Sequence, residues 1–114
     1  MVFCKYYIVF NSYNDLEVIS VEISVRELLS LNKPKIIDIR PSQKYNDNHI
    51  PNAVNINYTN LINNPGKYLD KNNTYYVYCQ RGITSKSAVE LLRMLGYDVF
   101  GVIGGYEAYV LNNY

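Results

Sequence analysis

The chain has 114 residues, 48% of them apolar and 18% charged, with a formal net charge of +1, a size and balance that fit one compact domain and not two. Charge is low and the aromatic content is 14%, so there is enough apolar surface to build a core and to argue against intrinsic disorder. Eleven basic residues are scattered among ten acidic ones without a block, which leaves no electrostatic footprint for nucleic acid and no polybasic patch for an anionic membrane.

In chain order, the apolar run Tyr6-Tyr7-Ile8-Val9-Phe10 is too short to span a bilayer, and Asn11-Ser12-Tyr13-Asn14 behind it does not resemble a cleavage site. A reducing, cytoplasmic setting is therefore expected. Val18 to Ile23 alternates as a half-buried strand does, and Ser24 breaks it. Ser24-Val25-Arg26-Glu27 fits a capping box, with Val25, Leu28 and Leu29 as the apolar face of a short helix. Ile36 to Ile39 reads as a buried strand, Ser42 to Asn46 as a helical turn, and Val54 to Ile56 as a strand. Leu61 to Leu69 reads as loop and weak helix, with turns at Asn63-Asn64-Pro65-Gly66 and Lys71-Asn72-Asn73. Thr74 to Tyr78 is rich in aromatic and β-branched residues and predicts a strand whose tyrosines serve packing. From Ser85 to Leu95, Ala88, Val89, Leu91, Leu92 and Leu95 recur at helical spacing, with Gly96 placed as a left-handed cap. A strand over Val99–Ile103, a Gly104-Gly105 turn and a helix from Tyr106 to Leu111 complete the chain. Short apolar strands alternating with helices indicate an α/β domain with a mainly parallel sheet.

Ligands of open α/β sheets collect at the carboxyl ends of strands, and Cys79 lies at such an end. The segment Cys79-Gln80-Arg81-Gly82-Ile83-Thr84-Ser85 leads straight into the longest helix, so its amides can curl around the sulfur with the helix N-terminus facing it. That arrangement and the Arg81 guanidinium favour the thiolate, which is the reactive form of cysteine. Gly82 permits the tight loop, and Thr84 or Ser85 can cap the helix or add a hydroxyl donor. Taken alone, a cysteine at a strand end is as readily a buried, inert residue. The other cysteine, Cys4, and the single histidine, His49, complete neither a disulfide scaffold nor a metal cluster.

Three separated blocks of this sequence resemble the rhodanese (sulfurtransferase) family, over about Ile19 to Leu111. Ile37-Asp38-Ile39-Arg40, Tyr45 and His49-Ile50-Pro51-Asn52-Ala53-Val54-Asn55-Ile56 resemble the family's strand, short helix and His-Ile-Pro-Gly-Ala turn. Cys79-Gln80-Arg81-Gly82-Ile83-Thr84 is similar to its active-site loop, and Gly104-Gly105-Tyr106 to its closing Gly-Gly and aromatic element. The resemblance implies a single rhodanese-like α/β domain over residues 16–114, with a five-stranded parallel sheet flanked by helices and residues 1–15 as an extension outside it. It further implies that Cys79 is the catalytic residue, carrying a sulfane sulfur as a persulfide, and that Gln80, Arg81, Gly82, Ile83, Thr84 and Ser85 form the substrate-binding loop. A small anionic sulfur donor such as thiosulfate and a thiol or cyanide acceptor, which can be a protein thiol, follow from it. No cofactor is implied. Asn48 and Asn52 stand where glycine is usual, and Thr84 where many single-domain members carry arginine, so anion binding is expected to fall on Arg81 and the backbone amides.

Two further readings share this fold: a persulfide carrier or interaction module without catalysis, and a phosphatase or arsenate reductase. Cysteine phosphatases close a longer loop with an arginine six residues after the nucleophile, and that position here is Ser85. For Asp38 and Arg40 an ion pair fixing the strand end is expected, and for His49 a hydrogen-bonded place in a turn. Nothing in the sequence brings Cys4 within disulfide reach of Cys79.

Overall fold

The computed structural model describes residues 6–10 and 16–112, with side chains from residue 21 onward. The first two strands, β1 (Tyr6–Phe10) and β2 (Leu16–Ser20), pair antiparallel with Ile8 opposite Val18 and form a sheet of their own. The chain then enters a second sheet through β3 (Glu22–Ile23), which is followed by α1 (Val25–Ser30). The alternation from Val18 to Ile23 thus covers two strands in two sheets. The physical reason is a change of partner: the Val21 carbonyl already accepts from the Gly101 amide at 2.9 Å, while Ile19 still faces Tyr7. The expected capping box is formed, with Ser24 Oγ accepting from the Glu27 amide at 3.1 Å and Glu27 accepting from the Ser24 amide at 3.3 Å.

Next come β4 (Lys35–Asp38), α2 (Ser42–Asp47), β5 (Val54–Asn55) and α3 (Tyr58–Asn63), then a 3₁₀ turn at Pro65–Lys67 and the central strand β6 (Thr74–Tyr78). Helix α3 starts three residues before the expected weak helix because the Asn57 side chain accepts from the amides of Thr59 and Asn60, a capping role that asparagine fills well. The remainder is α4 (Ile83–Met94), β7 (Asp98–Val102) and α5 (Gly105–Asn112). Among the described residues, no helix is long and apolar enough to cross a membrane.

The second sheet has five strands in the order β3-β7-β6-β4-β5, every pair parallel. A purely parallel sheet must be covered on both faces, and its side chains divide accordingly. Ile37, Tyr75 and Val77 pack with Leu61 of α3 and with Val89 and Leu92 of α4, while Ile36, Tyr78 and Val102 pack on the other face with Val25 and Leu28 of α1 and with Tyr106 and Tyr109 of α5. Leu28, Leu61 and Leu92 are wholly buried, each contributing about 1.5–3 kcal/mol of transfer free energy.

This strand order fixes the position of the site. From β4 the chain passes outward to β5, whereas from β6 it passes the opposite way to β7. The loops leaving β4 and β6 therefore diverge, and a crevice opens between two neighbouring strand ends. Residues 39–41 and 79–82 flank it.

Candidate active site

Cys79 follows β6 directly and is buried, with 6% of its surface exposed. The chain then turns through Gly82, whose φ of +88° a side chain would resist, and enters α4 at Ile83. The Gly82 and Ser85 amides donate to Cys79 Sγ at 3.1 and 3.3 Å, and Ser85 Oγ lies 3.3 Å from the same sulfur. The neutral thiol donates to that hydroxyl; in the thiolate the hydroxyl donates instead. A helix leaves its first four N–H groups without intrahelical acceptors, and Gly82 has no side chain to serve them. The sulfur does so in its place, at the positive end of a twelve-residue helix. Negative charge on Sγ improves each of these contacts.

The loop's carbonyls are taken up from behind. Cys79 O accepts from the Tyr106 amide at 2.8 Å and Gln80 O from the Glu107 amide at 3.0 Å, both in the first turn of α5. Gly105 makes this approach workable: its φ is +60°, and a Cβ there would collide with the Cys79 carbonyl oxygen. The Gly104-Gly105 turn thus seats one helix N-terminus on the loop carbonyls while another seats on the sulfur.

Across the crevice, Asp38 and Arg40 form the ion pair expected from the sequence. Arg40 Nη2 donates to Asp38 Oδ2 at 2.8 Å and Nε bridges both carboxylate oxygens at 3.1 and 3.2 Å. Both side chains are buried. Tyr78 Oη donates to Asp38 at 2.6 Å and accepts from the Ile50 amide at 3.1 Å. Burial, reinforced by the hydrogen bond to Asp38, holds the Tyr78 phenol far above its ordinary pKa, so it keeps the proton that it donates to Asp38. Burial works against the charge on Arg40, yet the hydrogen bond and charge of Asp38 more than offset it and leave the guanidinium above its ordinary pKa. Arg40 extends the network into the loop, donating to Gln80 Oε1 at 3.3 Å and to the Asn48 carbonyl at 2.7 Å, with its guanidinium 4.0 Å from the centroid of the Tyr106 ring. It therefore ties the β4 end, the β6 loop and α5 together.

His49 is the turn histidine expected: Nδ1 donates to the Tyr45 carbonyl at 2.8 Å and the ring stacks on Tyr45 at 3.8 Å. Asn52 takes the left-handed conformation, φ +70°, that glycine would favour. Asn48 does not; it is extended, and its carbonyl receives Arg40. Cys4 lies outside the described residues.

Cys79 opens into a cleft of about 400 Å³. Gln80 and Thr84 border it on the loop side, Arg40 and Lys44 on the β4 side, and Asn57 to Thr59 opposite. Ser85 holds the sulfur from within. Arg81 is directed elsewhere: its side chain is 75% exposed and pairs with Glu107 at 3.3 Å. Ile83 is exposed on the first turn of α4 and is not part of the cleft wall. Lys44, Asn57 and Tyr58 were not marked by the sequence. The available signal for Lys44 was its place one helical turn beyond the strand end at Arg40; for Asn57 it was an N-cap residue just after β5.

The fold agrees with what similarity finds. The family model for the rhodanese-like domain matches residues 24–112. The thiosulfate sulfurtransferase GlpE of Shewanella oneidensis is 34% identical over 91 residues, covering 76% of this chain and 89% of that protein. The adenylyltransferase and sulfurtransferase uba4 of Ogataea parapolymorpha is 34% identical over 94 residues, and there the match spans only 24% of the relative's length. Among solved structures, a rhodanese-related protein of Thermoplasma volcanium superposes with a TM-score of 0.74 at 28% identity, covering 82% of this chain and 93% of that one. The chain belongs to the rhodanese-like domain family.

Proposed function

We propose that this protein is a sulfurtransferase that moves a sulfane sulfur through a persulfide on Cys79. The observation that carries this reading is the cradle: a buried sulfur held by two amides and a hydroxyl at a helix N-terminus, open on one side to a cleft with no Asp or Glu among its lining residues. In the first step the Cys79 thiolate attacks the outer sulfur of thiosulfate. A new S–S bond forms to Sγ, the donor's own S–S bond breaks, and its electron pair leaves on sulfite. In the second, an acceptor thiolate or cyanide attacks the terminal sulfur and the electron pair returns to Sγ. The amides of Gly82 and Ser85 hold the thiolate when it is the leaving group, and in this reading those of Ile83 and Thr84, which lack intrahelical acceptors in the same first turn, receive the outer sulfur of the persulfide. Arg81 joins in by leaving Glu107, an exposed pair worth at most about 1 kcal/mol, once a doubly charged donor arrives.

Size separates sulfur from phosphate. A phosphoryl group presents three equatorial oxygens, whereas here the loop closes after six residues with the Ser85 amide and hydroxyl on Sγ itself. The bidentate guanidinium that phosphate chemistry uses has no counterpart at that position. Purified protein is therefore expected to form thiocyanate from thiosulfate and cyanide and to release no phosphate from an activated aryl phosphate. Cys79-dependent phosphate release without thiocyanate would overturn the proposal. Full loading with negligible turnover on small acceptors would make the protein a carrier. Within the same assay, Arg81→Ala is expected to lower kcat/KM for thiosulfate by roughly three- to tenfold relative to an uncharged persulfide donor. Equal losses with both donors would mean that Arg81 supports the loop and not the donor.

A further inference from the structure

We propose that the β1–β2 hairpin of one copy of this chain docks in a groove at the start of β4 in a second copy, and that the exchange is reciprocal, giving a two-fold dimer. Two cavities, of about 650 and 380 Å³, meet along Lys33, Pro34, Ile36 and Asn52. The larger lies on the α1 and α5 side, walled by Leu28, Leu29, Leu31 and Tyr109, and the smaller lies on the other face of the sheet, against Val54, Tyr68 and Tyr75. Together they form a groove that wraps around the first residues of β4. Its apolar wall is open to solvent at Leu29, 46% exposed, and at Val54, 58% exposed. Neither cavity shares a lining residue with the Cys79 cleft, which lies at the opposite end of β4, about 13 Å along the strand from Ile36 to Arg40. The proposal therefore stands apart from the chemistry at Cys79.

Three observations name the occupant. The first is an open sheet edge: β5 is the outer strand beside β4 and opposes only Ile37 and Asp38, so Lys35 and Ile36 have no strand on that side. An edge of this kind accepts a strand from another chain. The second is charge. Lys33 and Lys35 are the charged residues that line the groove, with no carboxylate beside them, and neither forms an ion pair among the described residues. The hairpin strands Tyr6–Phe10 and Leu16–Ser20 are apolar apart from Ser20 and one charge, the Glu17 carboxylate. An apolar hairpin with one anion thus matches an apolar groove with two cations. The third is connectivity. β1 and β2 pair only with each other, and a two-stranded hairpin is marginal in water until it packs on something else. It does not line the groove of its own chain, and it is joined to β3, the outer strand on the far side of the sheet from β5. The groove is therefore filled from a second copy. Once one hairpin is seated, the symmetry-related seat is in place as well, so the contact closes on itself as a dimer and does not run on as a filament.

The test is the mass of the full chain in solution, by sedimentation velocity over a concentration series. Wild-type protein is expected to be dimeric. Glu17→Lys brings a cation against Lys33 and Lys35, and Lys33→Glu/Lys35→Glu brings two carboxylates against Glu17. Each variant alone is expected to raise the dimer Kd by about tenfold or more, because like charges then meet at both seats. An equimolar mixture of the two variants is expected to restore the dimer, since each hairpin then finds the opposite charge in the other chain's groove. Mixing cannot rescue a hairpin that packs on its own domain, so a mixture that stays monomeric overturns the proposal. A monomeric wild type, or a dimer that neither variant weakens, does the same. Circular dichroism and a thermal melt check that the variants are folded. Should the reversed charges unfold the chain, Lys33→Gln/Lys35→Gln adds no repulsion and is expected to raise Kd about threefold; an unchanged Kd there also overturns the proposal.

Discussion

Replacing Cys79 by serine is expected to abolish sulfur loading and turnover while the fold persists. Wild-type protein exposed to thiosulfate should gain the mass of one sulfur atom, mapped to Cys79 and not to Cys4, and Cys79→Ser should gain none. Turnover to thiocyanate should fall by on the order of a thousandfold or more, since among the described residues no other thiol lies near the cleft to hold a sulfane sulfur and loss of a nucleophile removes the whole covalent route. Stability should change little, by about 1 kcal/mol or less. A serine oxygen fits where the sulfur sat and can accept from the same Gly82 and Ser85 amides, so the N-terminus of α4 stays capped. Circular dichroism and a thermal melt check the fold, and intact mass with peptide mapping checks the chemistry. A variant that keeps most of its turnover would exclude Cys79 as nucleophile, and a persulfide on Cys4 alone would do the same.

The sequence made the proposed nucleophile legible because three local signals coincide at Cys79. A β-branched and aromatic strand ends there, a glycine follows at the turn, and an amphipathic helix begins within four residues. The Asp38–Arg40 pair and the Ser24–Glu27 capping box were also legible, since each is set by residues two or three apart and needs no knowledge of the fold. What could not be read depends on partners distant along the chain. The division of the 18–23 stretch between two sheets is decided by Gly101, nearly eighty residues away. Arg81 stands beside Cys79 in sequence, which suggested a shared role, yet its nearest carboxylate is on Glu107 in the last helix. Conversely Lys44, thirty-five residues before the cysteine, reaches the cleft only because β4 and β6 are neighbours in the sheet. Residues at a strand end find their partners by strand order, and strand order is a global property.

Gly105→Ala is expected to be the most damaging substitution that leaves every chemical group of the site in place. Two costs combine. The backbone at Gly105 has a φ of +60°, where an alanine costs about 1–2 kcal/mol. The added Cβ would also collide with the Cys79 carbonyl oxygen and come within 2.8 Å of the Gly82 nitrogen and 2.9 Å of the Gln80 carbonyl carbon. These are backbone atoms, which cannot rotate aside as a side-chain end would, so overpacking adds roughly 1–3 kcal/mol. The total is a large part of a marginal stability of about 5–15 kcal/mol. The chain's easiest relief is to push α5 off the loop, and that breaks the Tyr106 and Glu107 amide contacts to the carbonyls of Cys79 and Gln80. The loop then loses its backing, the amides of Gly82 and Ser85 drift from the sulfur, and turnover should fall by about a hundredfold, the effect of misplacing a reacting group by about 1 Å. Gly66→Ala supplies the control, because a Cβ there meets only the Tyr97 hydroxyl at 3.6 Å, an ordinary contact. A melting temperature and a thiosulfate assay on the two variants decide the matter: Gly105→Ala with wild-type values of both would show that the α5 N-terminus does not hold the loop.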